Sequence, residues 1–323
     1  MKKLLTLILC SAISIASAAT SSNSSSVDPI LDAATPQSTP KKKAPKKAKK
    51  HHKAKAKSKA ASAPNSNSSQ PVATSNRQPR LYSYSGYAMD ISTGEVLVSK
   101  NPNAQLPIAS ITKLMTAMVM LDSGANLDDY VEISEDDVDH LRNTYSRLKV
   151  GMQLRRRDLL LLALMSSENR AAFAIARTAY PGGINEFIRR MNAKAKALGM
   201  TNTQFFDPTG LTAQNKSTAT DLAKMVKAAY GYELIREDTT TKGADVMLSS
   251  RYTHHYLNSD ALVRTSRFQI EVSKTGFINE AGHCLVLYAM VDNRPIAMVF
   301  LNSSKSGRLV DAMAVKSYID RMQ

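Results

Sequence analysis

Pro107-Ile108-Ala109-Ser110-Ile111-Thr112-Lys113-Leu114-Met115-Thr116-Ala117-Met118 is the stretch that decides how the rest of this chain is read. Proline opens it, and residues 110–121 then carry an apolar face at helical spacing. Ser110 and Lys113 stand three residues apart, which sets both side chains on one face of that helix. A serine at the N-terminal turn exposes its hydroxyl and aims its N–H at negative charge developing nearby. A lysine beside Leu114 and Met115 is desolvated, which lowers an ammonium pKa toward the range of a general base. The same spacing recurs at Ser38-Thr39-Pro40-Lys41 and at Ser146-Arg147-Leu148-Lys149. The first contains a proline in a polar tail, and the second runs into the turn Val150-Gly151. Only Ser110 heads an apolar-faced helix.

Working outward, alternation over 82–90, the turn Ser92-Thr93-Gly94 and residues 95–100 predict a strand hairpin. A short strand is expected at 131–133, and helices at 157–165 and 169–179, separated by the polar step Ser166-Ser167-Glu168. A helix over 184–198 is stopped by Gly199, Asp207-Pro208-Thr209-Gly210 makes a turn, and 220–229 is helical. Three strands follow at 268–274, 284–291 and 296–301, the last two joined tightly by Asp292-Asn293, and a helix over 309–322 closes the chain. The order predicts an α+β fold: a five-stranded antiparallel sheet completed by both ends of the folded part, flanked by helices, with a mostly helical remainder.

The 323 residues are 43% hydrophobic, enough to bury a core, which excludes fibrous and wholly disordered classes. The formal charge of +16 invites a nucleic-acid reading, but from Leu81 onward 28 basic residues face 25 acidic ones. The excess sits in a tail: residues 41–59 hold 11 lysines and no acid. No aromatic residue interleaves that run, so base stacking is disfavoured. An anionic wall or membrane-surface polymer is the better partner, with a plain soluble spacer as the alternative. Lys2-Lys3, the apolar run 4–15 and Ala16-Ser17-Ala18 read as a cleaved secretory signal over 1–18, too short for a span of about 20 residues. Residues 19–80, rich in Ser, Pro and Lys, are expected to be a disordered basic linker. Cleavage leaves Cys284 without Cys10, so no intrachain disulfide is expected. His140, His254, His255 and His283 form no metal-ligand spacing, and no Gly-rich loop cradles a phosphate, so neither a metal nor a cofactor is expected. The chemistry falls to serine and lysine.

Two further stretches carry it. Ser167-Glu168-Asn169 lies at a helix–helix junction 57 residues after Ser110, and Lys274-Thr275-Gly276 ends a strand 107 residues later. Singly, Ser167 and Asn169 would cap a helix and Thr275-Gly276 would make a turn. In this order, the three resemble the Ser-x-x-Lys, Ser-Asp-Asn and Lys-Thr-Gly signature of penicillin-binding proteins and class A β-lactamases. The opening stretch, Ala163-Leu164-Met165-Ser166-Ser167-Glu168-Asn169-Arg170-Ala171-Ala172, Asp207-Pro208-Thr209-Gly210-Leu211 and Lys274-Thr275-Gly276-Phe277 sharpen the likeness. Over residues 81–322 the chain resembles the low-molecular-weight serine D-alanyl-D-alanine peptidases, most of all the penicillin-binding protein 7 type of DD-endopeptidase.

That resemblance implies a β-lactamase/DD-peptidase-like domain over 81–323, and roles follow residue by residue. Ser110 is the acylated nucleophile and Lys113 takes its proton. Ser167 relays a proton to the departing amine, and Asn169 holds the peptide backbone and helps to position Lys113. Lys274 supplies positive charge for a substrate carboxylate and Thr275 hydrogen-bonds it. Gly276 leaves room for a peptide along the strand edge. The N–H groups of Ser110 and Phe277 form an oxyanion hole, where one donor is worth about 3 kcal/mol of barrier. Glu168 receives no role. The implied substrate is peptidoglycan peptide, the implied covalent inhibitors are β-lactams, and the implied compartment is the periplasm.

The three motifs do not separate carboxypeptidase from endopeptidase, because both substrates carry a carboxylate on the D-centre beyond the scissile bond. Membrane-bound carboxypeptidases of the family carry a second β-rich domain and an amphipathic anchor, whereas 49 residues follow Lys274 here. Hydrolysis of D-Ala–diaminopimelate cross-links is therefore expected ahead of trimming terminal D-Ala. A β-lactamase would need a deacylating Glu-x-x-Leu-Asn, which the sequence lacks, so penicillin should trap the enzyme. A non-catalytic wall- or polyanion-binding protein is the reading from another class; the complete set Ser110, Lys113, Ser167 and Lys274 argues against it.

Overall fold

Three consecutive, largely apolar strands near the C-terminus set the architecture. In the computed structural model, which describes residues 77–322, the sheet strands are β1 (Ser85–Asp90), β2 (Val96–Lys100), β3 (Gln269–Ile278), β4 (Gly282–Val291) and β5 (Arg294–Ser303). They pair antiparallel throughout in the order β2-β1-β5-β4-β3. Both faces of the sheet are buried. From β4, Leu285, Leu287 and Ala289 enter one apolar layer, while Cys284, Val286 and Tyr288 enter the other. Asp292 and Asn293 turn β4 into β5 with φ of 52° and 57°, the left-handed pair that a two-residue hairpin loop requires.

The helices are α1 (Thr112–Asp122), α2 (Arg156–Met165), α3 (Asn169–Thr178), α4 (Gly183–Ala197), α5 (Ala219–Tyr230), α6 (Glu233–Thr240), α7 (Ala261–Thr265) and α8 (Gly307–Ile319). The helix α8 covers one sheet face through Ala312, Val315 and Ile319. On the other side α1 packs among α2, α3, α4 and α5. The predicted α+β fold, with a five-stranded antiparallel sheet and a helical portion, is the one observed.

Four expectations change. Residues Thr112 to Met120 are all buried, so α1 is enclosed on every side instead of presenting one apolar face. Ser110 sits in a 3₁₀ turn (Ala109–Ile111) just ahead of α1, not in its first turn. The strand β3 runs on to Ile278, so Lys274-Thr275-Gly276 lies within it and does not end it. The sequence reading also passed over α6, α7 and the ribbon of Gly243–Ser249 with Tyr252–Leu257. The expected leader (1–18), most of the linker (19–80) and the lysine run 41–59 lie outside the described residues. Cys284 is a free, buried cysteine, and no described helix is long and apolar enough to cross a membrane.

One buried carboxylate ties the two ends of the folded part together. Asp311 in α8 accepts the N–H of Tyr82 at 2.8 Å, the N–H of Ser83 at 2.8 Å and the Ser83 hydroxyl at 2.5 Å. Truncation to alanine leaves those donors unpaired in the interior, a cost of about 1–3 kcal/mol for each group stranded. Asp311→Ala is expected to lower the denaturation midpoint in urea by an amount matching at least 2 kcal/mol, with Asp311→Asn intermediate. An unchanged midpoint would show that the clasp contributes nothing.

Candidate active site

Lys113 is where the first two motifs converge. Its amine, on a side chain only 1% exposed, lies 2.9 Å from Ser110 Oγ, 2.7 Å from Asn169 Oδ1 and 2.8 Å from the Thr209 carbonyl. Three acceptors from three separate segments thus surround one side chain. Asn169 is itself oriented: its amide donates to Thr144 Oγ1 at 3.0 Å, and Thr144 donates to Asp139 at 2.7 Å. Asp139 also collects the N–H groups of Leu141, Arg142 and Thr144, which folds that loop against the site.

Burial pushes the Lys113 pKa down to about 8, against the opposing carboxylates of Asp207, Glu168 and Asp139. Lys274 is also 1% exposed. Burial first, then the charges of Lys113 and Arg308, hold its pKa well below the ordinary lysine value, with Asp260 opposing. Two amines in one dry site make it costly to keep both protonated, so a proton acceptor near neutral pH is built into the packing.

The third motif is stitched to the second through backbone. Thr275 Oγ1 lies 2.8 Å from Ser259 Oγ, and the Ser259 N–H donates to the carbonyl of Met165, the last residue of α2, at 2.8 Å. Ser166 and Ser167 follow directly. Ser167 adopts φ of 65° and Ala109, just before Ser110, φ of 47°. Left-handed backbone in residues other than glycine stores strain and marks sites where position outweighs stability.

Two glycines set the approach of the serine turn to its surroundings. A Cβ on Gly276 would stand 2.9 Å from the Ile108 carbonyl and 3.1 Å from Ser110 N. The room that Gly276 leaves is therefore filled by the serine's own turn, where the sequence reading reserved it for a substrate peptide. Gly210, at φ of 81°, presses on the Ala109 carbonyl, where an added Cβ would collide. Its loop is held by Asp207, whose carboxylate accepts the N–H groups of Thr209, Gly210 and Thr212, and by Asn215, whose amide donates to Thr112 Oγ1 at 3.1 Å.

The resulting cleft, about 380 Å³, is lined by Ser110, Arg142, Thr144, Asn169, Leu211 and Phe277 among others. Arg142 crosses it to pair with Glu280 at 2.9 Å. Phe277, exposed on β3, stacks on His283 at 4.3 Å between centroids, and Arg308 donates to His283 Nδ1 at 2.6 Å. All eight residues singled out from sequence belong to these three segments, although Ser167 is not among the partners of the Lys113 amine. Reasoning from sequence missed Thr209, Thr144, Arg142 and Arg308. Only the Asp-Pro-Thr-Gly turn carried a local signal, and that signal spoke for a turn and not for a carbonyl aimed at Lys113. Among the described residues no cluster of His, Cys, Asp and Glu could hold a metal ion.

A hydroxyl beside a desolvated amine, with a second buried lysine on the adjoining strand, is equipped for acyl transfer to serine. Comparison with known proteins points the same way. The profile of peptidase family S11, described as D-alanyl-D-alanine carboxypeptidase, matches residues 72–305. A D-alanyl-D-alanine endopeptidase of Pseudomonas aeruginosa is 44% identical over 80% of this chain and 84% of its own length. One from Escherichia coli is 42% identical over the same shares. The crystal structure of the Streptomyces K15 DD-transpeptidase superposes with a TM-score of 0.70 at 30% identity, covering 75% of this chain and 98% of that one. This chain belongs to the S11 family of serine D-alanyl-D-alanine peptidases.

Because Gly210 and Gly276 press on backbone and on the short side chains of Thr112 and Ala109, neither can be enlarged cheaply. Gly210→Ala is expected to destabilise the fold by several kcal/mol, read as a lowered thermal midpoint. Ser167→Gly should instead raise stability by about 0.5–1 kcal/mol by relieving its left-handed backbone. A destabilised Ser167→Gly variant would contradict the strain assigned there.

Proposed function

We propose that this chain is an exported peptidoglycan hydrolase that cleaves D-Ala–diaminopimelate cross-links through an ester on Ser110. The observation that carries the reading is the 2.9 Å contact between Ser110 Oγ and the buried Lys113 amine. Neutral Lys113 takes the hydroxyl proton as Ser110 Oγ adds to the carbonyl of D-Ala. The N–H groups of Ser110 and Phe277 receive the oxyanion, each donor worth about 3 kcal/mol. Ser167 relays to the leaving amine the proton that Lys113 took from Ser110, the C–N bond breaks, and the acyl group stays on Ser110. Water then adds to the ester, and the serine is released with the shortened peptide.

Lys274 and Thr275 receive the carboxylate on the D-centre beyond the scissile bond. Because β3 is the edge of the sheet, the substrate backbone can pair along it as an added strand. Asn169 positions Lys113 and meets the peptide. The reading of cross-link cleavage ahead of terminal trimming is supported by the 42–44% identity to relatives named endopeptidases. Trimming of terminal D-Ala is the second reading, since the same carboxylate contacts serve it. β-Lactams, which present a strained amide and a carboxylate in the same arrangement, acylate Ser110. Within this reading residues 1–18 direct export to the periplasm, 19–80 are a spacer, 81–323 are the catalytic domain, and the lysines of 41–59 draw the enzyme to anionic polymer. That attraction would weaken with salt over a Debye length of about 8–10 Å.

Fluorescent penicillin should label the protein and fail to label Ser110→Ala; labelling of the variant would remove Ser110 from its role. The base must be neutral, so the acylation rate should climb about tenfold per pH unit below 8 and level off above it. A rate still climbing at pH 10 would mean that Lys113 keeps the ordinary lysine value. Digestion of purified cross-linked muropeptides should release monomers, while products lacking only a terminal D-Ala would favour the trimming reading.

A further inference from the structure

The wall of the cleft continues into a row of aromatic rings that the acyl-transfer chemistry does not use. Thr144 lines the cleft with Ser110, and the next residue, Tyr145, is 81% exposed. The Arg147 guanidinium stands 5.4 Å from the Tyr145 ring centre and 5.9 Å from that of Tyr256. Tyr252, His254 and Tyr256 occupy alternate positions of the strand Tyr252–Leu257, so their rings share one face. His254 meets Tyr256 edge-on at 4.7 Å and Tyr252 at 6.1 Å.

The row is graded from dry to wet. Tyr256 is 4% exposed and Tyr252 51%. Among the described residues the Tyr256 hydroxyl has no hydrogen-bond partner, an uncommon state for a buried phenol. Burial, and next the Glu168 carboxylate, keep that phenol protonated. Tyr256 is thus the dry inner end of the row, anchored beside the second serine motif.

We infer that this face is a glycan subsite, binding the N-acetylated amino-sugar strand that carries the stem peptide. The inference rests on the proposed function for its substrate class. Pyranose rings present C–H faces that pack on aromatic π-faces, and their rim hydroxyls and acetamides need donors and acceptors at the ring edges. Tyr145, Tyr252 and His254 supply the rings, and their edges together with the Arg147 guanidinium supply the polar groups. Location argues for the same occupant. A stem peptide of a few residues reaches at most about 3.3–3.6 Å per residue, which keeps its sugar near the cleft wall where the row begins.

Two exposed residues, Tyr145 and Tyr252, can be truncated without opening the core. The direct test uses a β-1,4-linked N-acetylglucosamine tetramer, with tyrosine emission as the readout because the chain has no tryptophan. The parent protein should bind the tetramer saturably, and the double variant Tyr145→Ala/Tyr252→Ala should bind it at least tenfold more weakly. The kinetic test compares one cross-linked peptide dimer with and without its disaccharides. The double variant should lose five- to tenfold in kcat/KM, through KM, on the sugar-bearing dimer only, with penicillin labelling unchanged. No saturable tetramer binding by the parent, or equal losses on both dimers, overturns the subsite. If the parent cleaves neither dimer but still binds the tetramer, the fault lies in the proposed reaction and the glycan subsite stands.

Discussion

An amine held away from water is the constraint on which the molecule depends. Burying an ammonium costs several kcal/mol unless acceptors surround it. Around Lys113 those acceptors come from its own turn, from the start of α3 and from the loop after α4. None of these segments is near another in sequence. The enclosed α1, the Asp207–Asn215 clasp and the Asp139–Thr144–Asn169 relay are therefore best understood as the scaffold of one side chain. The fall of its pKa from 10.5 to about 8 corresponds to about 3 kcal/mol against the charged form, and that penalty is what makes the amine able to accept a proton.

Strain and close approach concentrate at the same place. Ala109 and Ser167, both in left-handed backbone, immediately precede or constitute the two serines of interest. Gly210 and Gly276 let other backbone reach the serine turn from two sides. The interior elsewhere is a sheet buried on both faces, which provides the rigidity that holds these conformations. The aromatic row on the Tyr252–Leu257 ribbon extends the working surface from the cleft to the polymer that bears the peptide.

Much of this was legible in the residues. The first strand announced itself by alternation and the last two by the Asp292-Asn293 turn that joins them, and the three motifs lie where the sequence reading placed breaks between elements. The segment around α6, α7 and the ribbon was not legible. Its elements are short, and Tyr252–Leu257 alternates a face that is part core and part solvent, so no clean apolar period emerges. Thr209 contributes a backbone carbonyl, which no side-chain pattern can advertise. Arg308 reads as one more charged residue of a surface helix until the fold buries it beside His283. The place of Lys274 within β3 was misjudged because the motif's glycine looks like a strand terminator, when its role is to admit the serine turn.

The most direct test observes the amine itself. With isotopically labelled lysine, the ε-position of Lys113 can be followed by NMR from pH 6 to 11, assigned by its loss in Lys113→Arg. A midpoint near 8 would agree with a desolvated base hydrogen-bonded to Ser110. A midpoint at or above 10 would contradict that account, because the amine would then be charged throughout the range in which the serine must be activated.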